Sequence, residues 1–291
     1  MQKVYKHGLP FSKVLAKNIK ELDHRIQQKK ASLLIIDGAV GMGKTTLGIH
    51  IADYLNKLHD LPLVELELKN HPQLAMGGSD FLKKMRICWE KGLIVIIYDE
   101  GGDFSKRGAI SRFNAMLNRT FETFRGFKIL VIICLPRFDI LDSHLFDLQI
   151  PRGLIHIVDR NEKYADFEGY SLFNMNWIRY WAERLPKAIR YKAYDKVTPN
   201  FRGHFLDLDK TRSKKLDYIS TREKINILKS AEVKAEGLLT YKEMSDKCNR
   251  SMIWVKKKVA ELKIKENRTI GRVKYFKEDV LNRLLDMIDN G

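Results

Sequence analysis

Two rhythms of apolar residues run along the chain. Val14, Leu15, Ile19, Leu22 and Ile26 recur at helical spacing and predict a helix over residues 11–28. Leu33 to Asp37 is a short apolar run that predicts a strand, and a helix is predicted from Lys44 to about His59. Pro62 closes that connection, and Leu63 to Lys69 alternates like a half-buried strand. Ser79 to Lys91 predicts a helix capped by Ser79, and Leu93 to Tyr98 a buried strand ending in Asp99-Glu100. Beyond it come a helix over 110–125, an apolar strand over 127–135, a polar helical stretch over 137–149 and a fifth strand over 154–158. Wholly apolar strands alternating with helices imply a parallel sheet covered on both faces, an α/β fold.

The pattern changes past residue 160. Residues 164–200 are aromatic and basic and predict an accessory layer on the core; Pro199 to Gly203 is turn chemistry. A polar stretch begins at Leu206 and predicts a linker. Leu239 to Asn249 then predicts a capped helix and turn, Ser251 caps a helix over Met252 to Leu262, Thr269 to Phe276 alternates like a hairpin, and Glu278 to Ile288 is amphipathic. Helix, turn, helix, wing, helix is the order of a winged helix-turn-helix. The expected division is an α/β domain with its accessory segment over 1–205, a linker over 206–235 and a small winged helix-turn-helix domain over 236–291.

Composition narrows the class. The 291 residues suffice for one α/β domain and a small second one. No apolar run approaches the ~20 residues that span a bilayer, and the N-terminal 30 residues lack the apolar block of a signal peptide. Stable membrane insertion is therefore not expected, and a cytoplasmic location is (the host cytoplasm for a viral protein). Cys88, Cys134 and Cys248 are far apart in the chain, which argues against a disulfide scaffold or zinc site. The formal charge of +17 points to a polyanionic partner, DNA first. Residues 213–291 carry 19 basic and 12 acidic side chains, the densest charge, so the tail is the expected contact surface.

The chemistry lies in Gly38-Ala39-Val40-Gly41-Met42-Gly43-Lys44-Thr45-Thr46. Glycines let backbone N–H groups close around phosphate oxygens. Lys44 would reach the β- and γ-phosphates, and the Thr45 hydroxyl would ligate Mg2+. The next helix turns its positive end toward the anion. Asp99, at the end of an apolar strand, would hold Mg2+, and Glu100 would polarise the attacking water. ATP and Mg2+ are thus the expected cofactors. Arg112, Arg119 and Arg125 are candidates for an added charge at the γ-phosphate, with Arg125 slightly ahead of Arg119. In the tail, Ser251, Trp254, Lys256, Lys257 and Lys258 would face the major groove, and Arg268, Arg272 and Lys274 would sit near phosphates on the wing.

Taken together, Gly38 to Thr45, Asp99-Glu-Gly-Gly-Asp103, Arg112, Asn114, Arg119, Arg125, Leu141-Asp142, Pro151 to Ile155 and Pro199 to Phe205 resemble the FtsK/HerA superfamily of DNA-pumping ATPases over roughly residues 30–205. The genome-packaging and mobile-element members of viruses and plasmids are the nearest in kind. The likeness implies a RecA-like core and a homo-oligomeric, usually hexameric, ring around DNA, with nucleotide at each subunit boundary and viral or plasmid assembly proteins as further partners. One departure stands out: the strand after Asp99-Glu100 ends in Cys134-Leu135-Pro136-Arg137, where family members place a polar sensor, so either Arg137 takes that part or the chain belongs elsewhere within the P-loop class. The tail resembles winged helices of the excisionase and MerR type through Leu239 to Asn249 and Gly271 to Val280. The implied function is an ATP-driven DNA translocase for packaging, segregation or transfer of a mobile genome. Its rivals are a replication initiator or helicase loader, and a nucleotide-gated regulator or assembly adaptor such as the zonula-occludens-toxin-like proteins.

Overall fold

In the computed structural model, residues 4–30, 32–99, 114–121, 128–235, 237–270 and 273–289 are described. The chain divides into two units, residues 1–220 and 221–291.

Strand β1 (Ser32–Asp37) is buried along its whole length, as a run with apolar side chains on both faces requires. Helix α1 (Lys13–Gln27) lays Leu15, Ile19, Leu22 and Ile26 against one face of the sheet. On the same face lies α2 (Lys44–Leu58), in which Leu47, Ile49, Ile51, Ala52 and Leu55 are buried. The opposite face is covered by α3 (Gly78–Glu90), by the helical residues 114–121 (α4), and by α6 (Leu172–Arg184).

The remaining strands of this unit are β2 (Leu74–Met76), β3 (Val95–Asp99), β4 (Leu130–Leu135), β5 (Pro151–Arg160), β6 (Tyr164–Tyr170) and β7 (Phe201–Leu206). They form one seven-stranded sheet in the order β2-β3-β4-β1-β5-β6-β7. The first five strands in that order pair in parallel, and β6 and β7 continue antiparallel. The fold is α/β with a mostly parallel sheet. Short α5 (Ser143–Asp147), capped by Asp142, leads into β5.

Several elements differ from expectation. Leu63 to Lys69 forms no named strand. Its alternation buries Val64 and Leu66, but its backbone is tied by side chains: Val64 N–H donates to Asp53 (2.8 Å), and the Val64 carbonyl accepts from Arg212 (3.0 Å). A segment so satisfied needs no strand partner. The edge strand is β2 instead, three residues long and too short to show a period. α3 begins with Gly77 in the cap position, one turn-start earlier than Ser79. The accessory stretch begins as sheet and continues as helix: Ala165 and Phe167 alternate inward on β6, α6 and a 3-10 segment over Lys187–Lys196 follow, and β7 takes in Phe201 to Gly203 of the predicted turn. Residues 210–235 form α7 (Lys210–Ala235), and Leu208, Leu216 and Ile219 bury into the first unit's core. Arg212 also pairs with buried Asp53. The first half of the stretch read as linker therefore packs on the first unit.

In the second unit, β8 (Leu239–Thr240), β10 (Val273–Phe276) and β9 (Arg268–Ile270) form a three-stranded antiparallel sheet in the order β8-β10-β9. Thr240 and Glu243 make a reciprocal capping box on α8 (Tyr241–Cys248), and Asn249 ends that helix in the left-handed region (φ 49°). Ser251 caps α9 (Met252–Glu261), and α10 (Glu278–Asp289) closes the unit. Met244, Val255, Phe276 and Leu284 form its core. All three cysteines are buried and free. Among the described residues no helix is long and apolar enough to cross a membrane.

Candidate functional site

Sequence and geometry agree best where β1 ends. Parallel register sets Asp37 beside Leu135 of β4 and His156 of β5. The chain then turns through residues 38–43 into α2, with Thr46 already buried in its first turn. Gly38, Gly41 and Gly43 all have positive φ (141°, 84° and 88°). Gly38 is held close as well: a Cβ there would sit 2.9 Å from the Ile157 carbonyl oxygen of β5. Ala39, Val40 and Gly41 form the exposed tip, and Met42 packs against the core.

Lys44 folds its ammonium back over the loop, donating to the carbonyls of Gly38 (2.7 Å) and Ala39 (2.8 Å). The Thr45 hydroxyl donates to Asp99 Oδ2 at 2.7 Å. Asp99 ends β3, which is separated from β1 only by β4, so two strand spacings (about 10 Å) lie between the strand carrying the loop and the one carrying the carboxylate. α2 bridges that gap. Gly48 eases the approach: a Cβ there would already meet Ile97 of β3 at 3.4 Å and Ile132 and Cys134 of β4 at 3.6 and 3.7 Å. A threonine oxygen and a carboxylate oxygen brought together are hard ligands of the kind Mg2+ takes, and a lysine on phosphate-binding backbone is the usual partner of nucleotide phosphates. The residues present fit a magnesium–nucleotide pair.

Three features were not apparent from the sequence. Arg160, at the end of β5, donates to the Gly41 carbonyl (2.7 Å) and to Asp207 (2.6 Å), so a cation sits against the loop from the sheet side. A Cβ on Gly43 would meet that guanidinium at 3.3 Å. Second, Asp37 is buried under the loop and accepts from the Phe138 N–H (3.0 Å), from His156 Nδ1 (2.8 Å) and from the Tyr194 hydroxyl. The Tyr194 ring stacks on His156 with centroids 3.8 Å apart. Burial first, and then the Asp37 charge, raise the Tyr194 phenol well above its ordinary range, so it stays a donor. Third, His50 is buried in α2 with Nε2 2.8 Å from the Leu206 carbonyl; burial pushes its pKa down to about 4. Apart from Asp207, 47 positions from Arg160, every hydrogen-bond partner named lies more than a hundred positions away in the chain, which no local pattern signals.

The other sequence candidates are placed as follows. Glu100, Arg112, Arg125 and Arg272 lie outside the described residues. Arg119 is exposed on α4, whose inner face buries Leu117 and Phe121. Asn114 ties α4 to the loop after β4, donating to the Ile140 carbonyl (3.2 Å) and accepting from Asp142 N–H (3.2 Å). Arg137 donates to Asp139 (2.9 Å) rather than standing free, and Cys134 is buried with its thiol pushed well up by burial. In the second unit Lys256, Lys257 and Lys274 are exposed, while Trp254, Lys258 and Arg268 are half-buried. Lys258 pairs with Glu261 (2.7 Å), Lys274 with Glu266 (3.1 Å), and Lys256 lies 5.8 Å over the Tyr241 ring. Surface pairs of this kind are worth under ~1 kcal/mol and yield readily to a competing anion.

Strand, glycine loop, helix and the Thr45–Asp99 contact define a P-loop fold. No family model and no curated protein matches the chain. Among solved structures, a KaiC-like protein from the archaeon Pyrococcus horikoshii is similar at 11% identity over 49% of this chain and 79% of that one, with a TM-score of 0.32. The N-terminal domain of zonular occludens toxin from Neisseria meningitidis is similar at 12% identity over 64% and 98%, with a TM-score of 0.31. A replication initiator DnaA, bound to AMPPCP and single-stranded DNA, is similar at 15% identity over 86% and 69%, with a TM-score of 0.32.

Proposed function

We propose that the chain is a magnesium-dependent ATPase that acts on DNA, and that it works as a ring-forming translocase for a viral or mobile-element genome. The observation that carries the ATPase reading is the Thr45–Asp99 hydrogen bond beside Lys44. In this reading Thr45 and Asp99 hold the metal, which when bound supplies charge neutralisation between the phosphates. Lys44 exchanges the Gly38 and Ala39 carbonyls for phosphate oxygens. Glu100, the next residue after Asp99, orients and deprotonates water. Arg119, exposed on α4, or Arg125 supplies charge to a neighbouring subunit's nucleotide.

DNA as the partner rests on the +17 charge and on the lysines of α9 and β10. The second unit is read as a winged helix-turn-helix with α9 as the groove-facing helix. The test is ATP turnover by the purified chain with and without long random-sequence duplex, beside Glu100→Gln. Strong stimulation by long duplex, absent in the variant, supports the translocase. Slow turnover indifferent to DNA overturns it in favour of an initiator or switch.

A further inference from the structure

A cavity of about 420 Å3 opens between α1 and the ends of β5 and β6, within the range of ordinary ligand sites. It lies at the end of β5 away from the P-loop: Arg152 and Ile157, which abuts Gly38, are separated by roughly 16 Å of strand. Its floor is apolar, with Leu15, Ile19, Leu154 and Phe201. Two cations face it, Arg25 from α1 and Arg152 from β5. The Nε of each is buried and has no hydrogen-bond partner. Among the described residues neither guanidinium has an ion-pair partner, and Glu21, exposed one turn before Arg25, pairs with neither.

Exposed Glu21 apart, the other polar side chains of the lining are already used by the fold. Asn18 donates to the Val14 carbonyl (2.8 Å), and Asn200 accepts from the Ser171 N–H (2.7 Å). Ser171 Oγ accepts from the Asn174 N–H (3.5 Å). Burial, and then the charge of Arg25, push Arg152 down from the ordinary arginine range, yet both remain cations at neutral pH. Two like charges turned into one apolar-floored cavity, with donors unmet, lack an anion between them.

We propose that this cavity binds a small organic anion, a phosphomonoester or carboxylate with an apolar body, clasped between Arg25 and Arg152. The anionic head takes the two guanidinium groups, and the body lies on Leu15, Ile19 and Phe201. The site is distinct from the P-loop and independent of the ATPase reading.

The test is calorimetric titration of the full chain carrying Lys44→Ala, which removes the P-loop's phosphate partner. The probes are phenyl phosphate, benzoate and inorganic phosphate. The expected result is saturable binding, with phenyl phosphate or benzoate tighter than inorganic phosphate because the floor is apolar. The order of those two tells a phosphate head from a carboxylate head. Arg25→Met and Arg152→Met should each weaken the better probe at least tenfold, the scale of a lost charge-assisted bond. Arg152→Lys, which keeps the charge without the planar fork, should fall between. Circular-dichroism melting should show both Met variants folded, since each relieves a like-charge contact. No saturable binding to the Lys44→Ala chain, or equal binding by the Arg25→Met and Arg152→Met chains, overturns the proposal.

Discussion

Asp37 offers the sharpest test of how the P-loop is held. Asp37→Ala removes the acceptor for three buried groups: the Phe138 N–H, His156 Nδ1 and the Tyr194 hydroxyl. Leaving a buried donor unmet costs about 1–3 kcal/mol, and with partial relaxation the three together should cost about 4 kcal/mol. In a unit of this size each kcal/mol lowers Tm by about 2–4 °C, so a fall of roughly 12 °C is expected. Asp37→Asn differs in kind. With its amide turned so that Nδ2 faces His156 Nδ1, its oxygen still accepts from Phe138 and Tyr194, and the cost should be about 1 kcal/mol. Scanning calorimetry of the full chain at pH 7.5 reads the melting of the first unit, and fluorescent ATP titration reads the loop that starts one residue later. The expected order of Tm is wild type, Asn, Ala. An Ala variant melting within about 2 °C of wild type would refute the cluster's structural role. An Asn variant as unstable as Ala would refute the view that an amide can stand in for the carboxylate in this cluster.

Four further outcomes follow from the same geometry. Gly38→Ala sets a Cβ 2.9 Å from the Ile157 carbonyl at a φ of 141°; strain of about 1–3 kcal/mol should weaken ATP binding about tenfold or more by fluorescence titration. Arg160→Met removes the bonds to Gly41 and Asp207 from a partly exposed site, so ATP affinity should drop about 3–10-fold with Tm nearly unchanged. For His50 the folded pKa, about 4, lies below the unfolded 6.5, so the unfolded state takes up the extra proton. That contribution is fully present above pH ~6.5 and is lost as pH falls toward 4, by at most about 3 kcal/mol; urea midpoints across this range should fall more steeply than those of His50→Asn. Glu100→Gln should retain ATP in a filter-binding assay while turnover drops about a hundredfold or more; wild-type turnover would show that another residue serves as base.

What the sequence disclosed depended on the range of the signal. β1, the P-loop, α2 and β3 were legible because each is a contiguous pattern: an apolar run, three glycines before Lys44-Thr45, and an apolar run ending in Asp99. The Thr45–Asp99 contact spans 54 positions yet was still readable, because the motif pair carries its own spacing rule. Within residues 164–200, read as an accessory layer, strand β6 was not legible because its aromatics mask the alternation. Phe167 and Phe205 point into the core from β6 and β7, while Tyr164 on the same strand is exposed. The stretch from Leu63 failed in the opposite direction: it has a strand's alternation without a strand's hydrogen bonds, since Asp53 and Arg212 meet its backbone instead. Asp37 was legible only as the last residue of a strand. Its partners come from β5 and from a 3-10 segment over 150 residues away, so its role exists only in the folded chain.

The loop also raises an electrostatic question that its motif leaves unasked. A nucleotide's phosphates bring strong negative charge close to a backbone with outward-turned carbonyls, which repel anions. Three of the carbonyls, at Gly38, Ala39 and Gly41, are held by cations: the first two by Lys44, the third by Arg160. The two cations are not equivalent. Lys44 is a flexible point charge on α2 that can trade its carbonyls for phosphate oxygens, and at Ala39 the exposed loop tip lets water replace it. Arg160 is a planar fork fixed at its other arm by Asp207, so it keeps its hold on Gly41 when the ligand arrives. In the proposed ATPase reading, Lys44 would thereby supply the charge that moves to the ligand and Arg160 the charge that stays with the loop. That division predicts that losing Arg160 slows or loosens nucleotide capture but spares the chemical step, whereas losing Lys44 abolishes both.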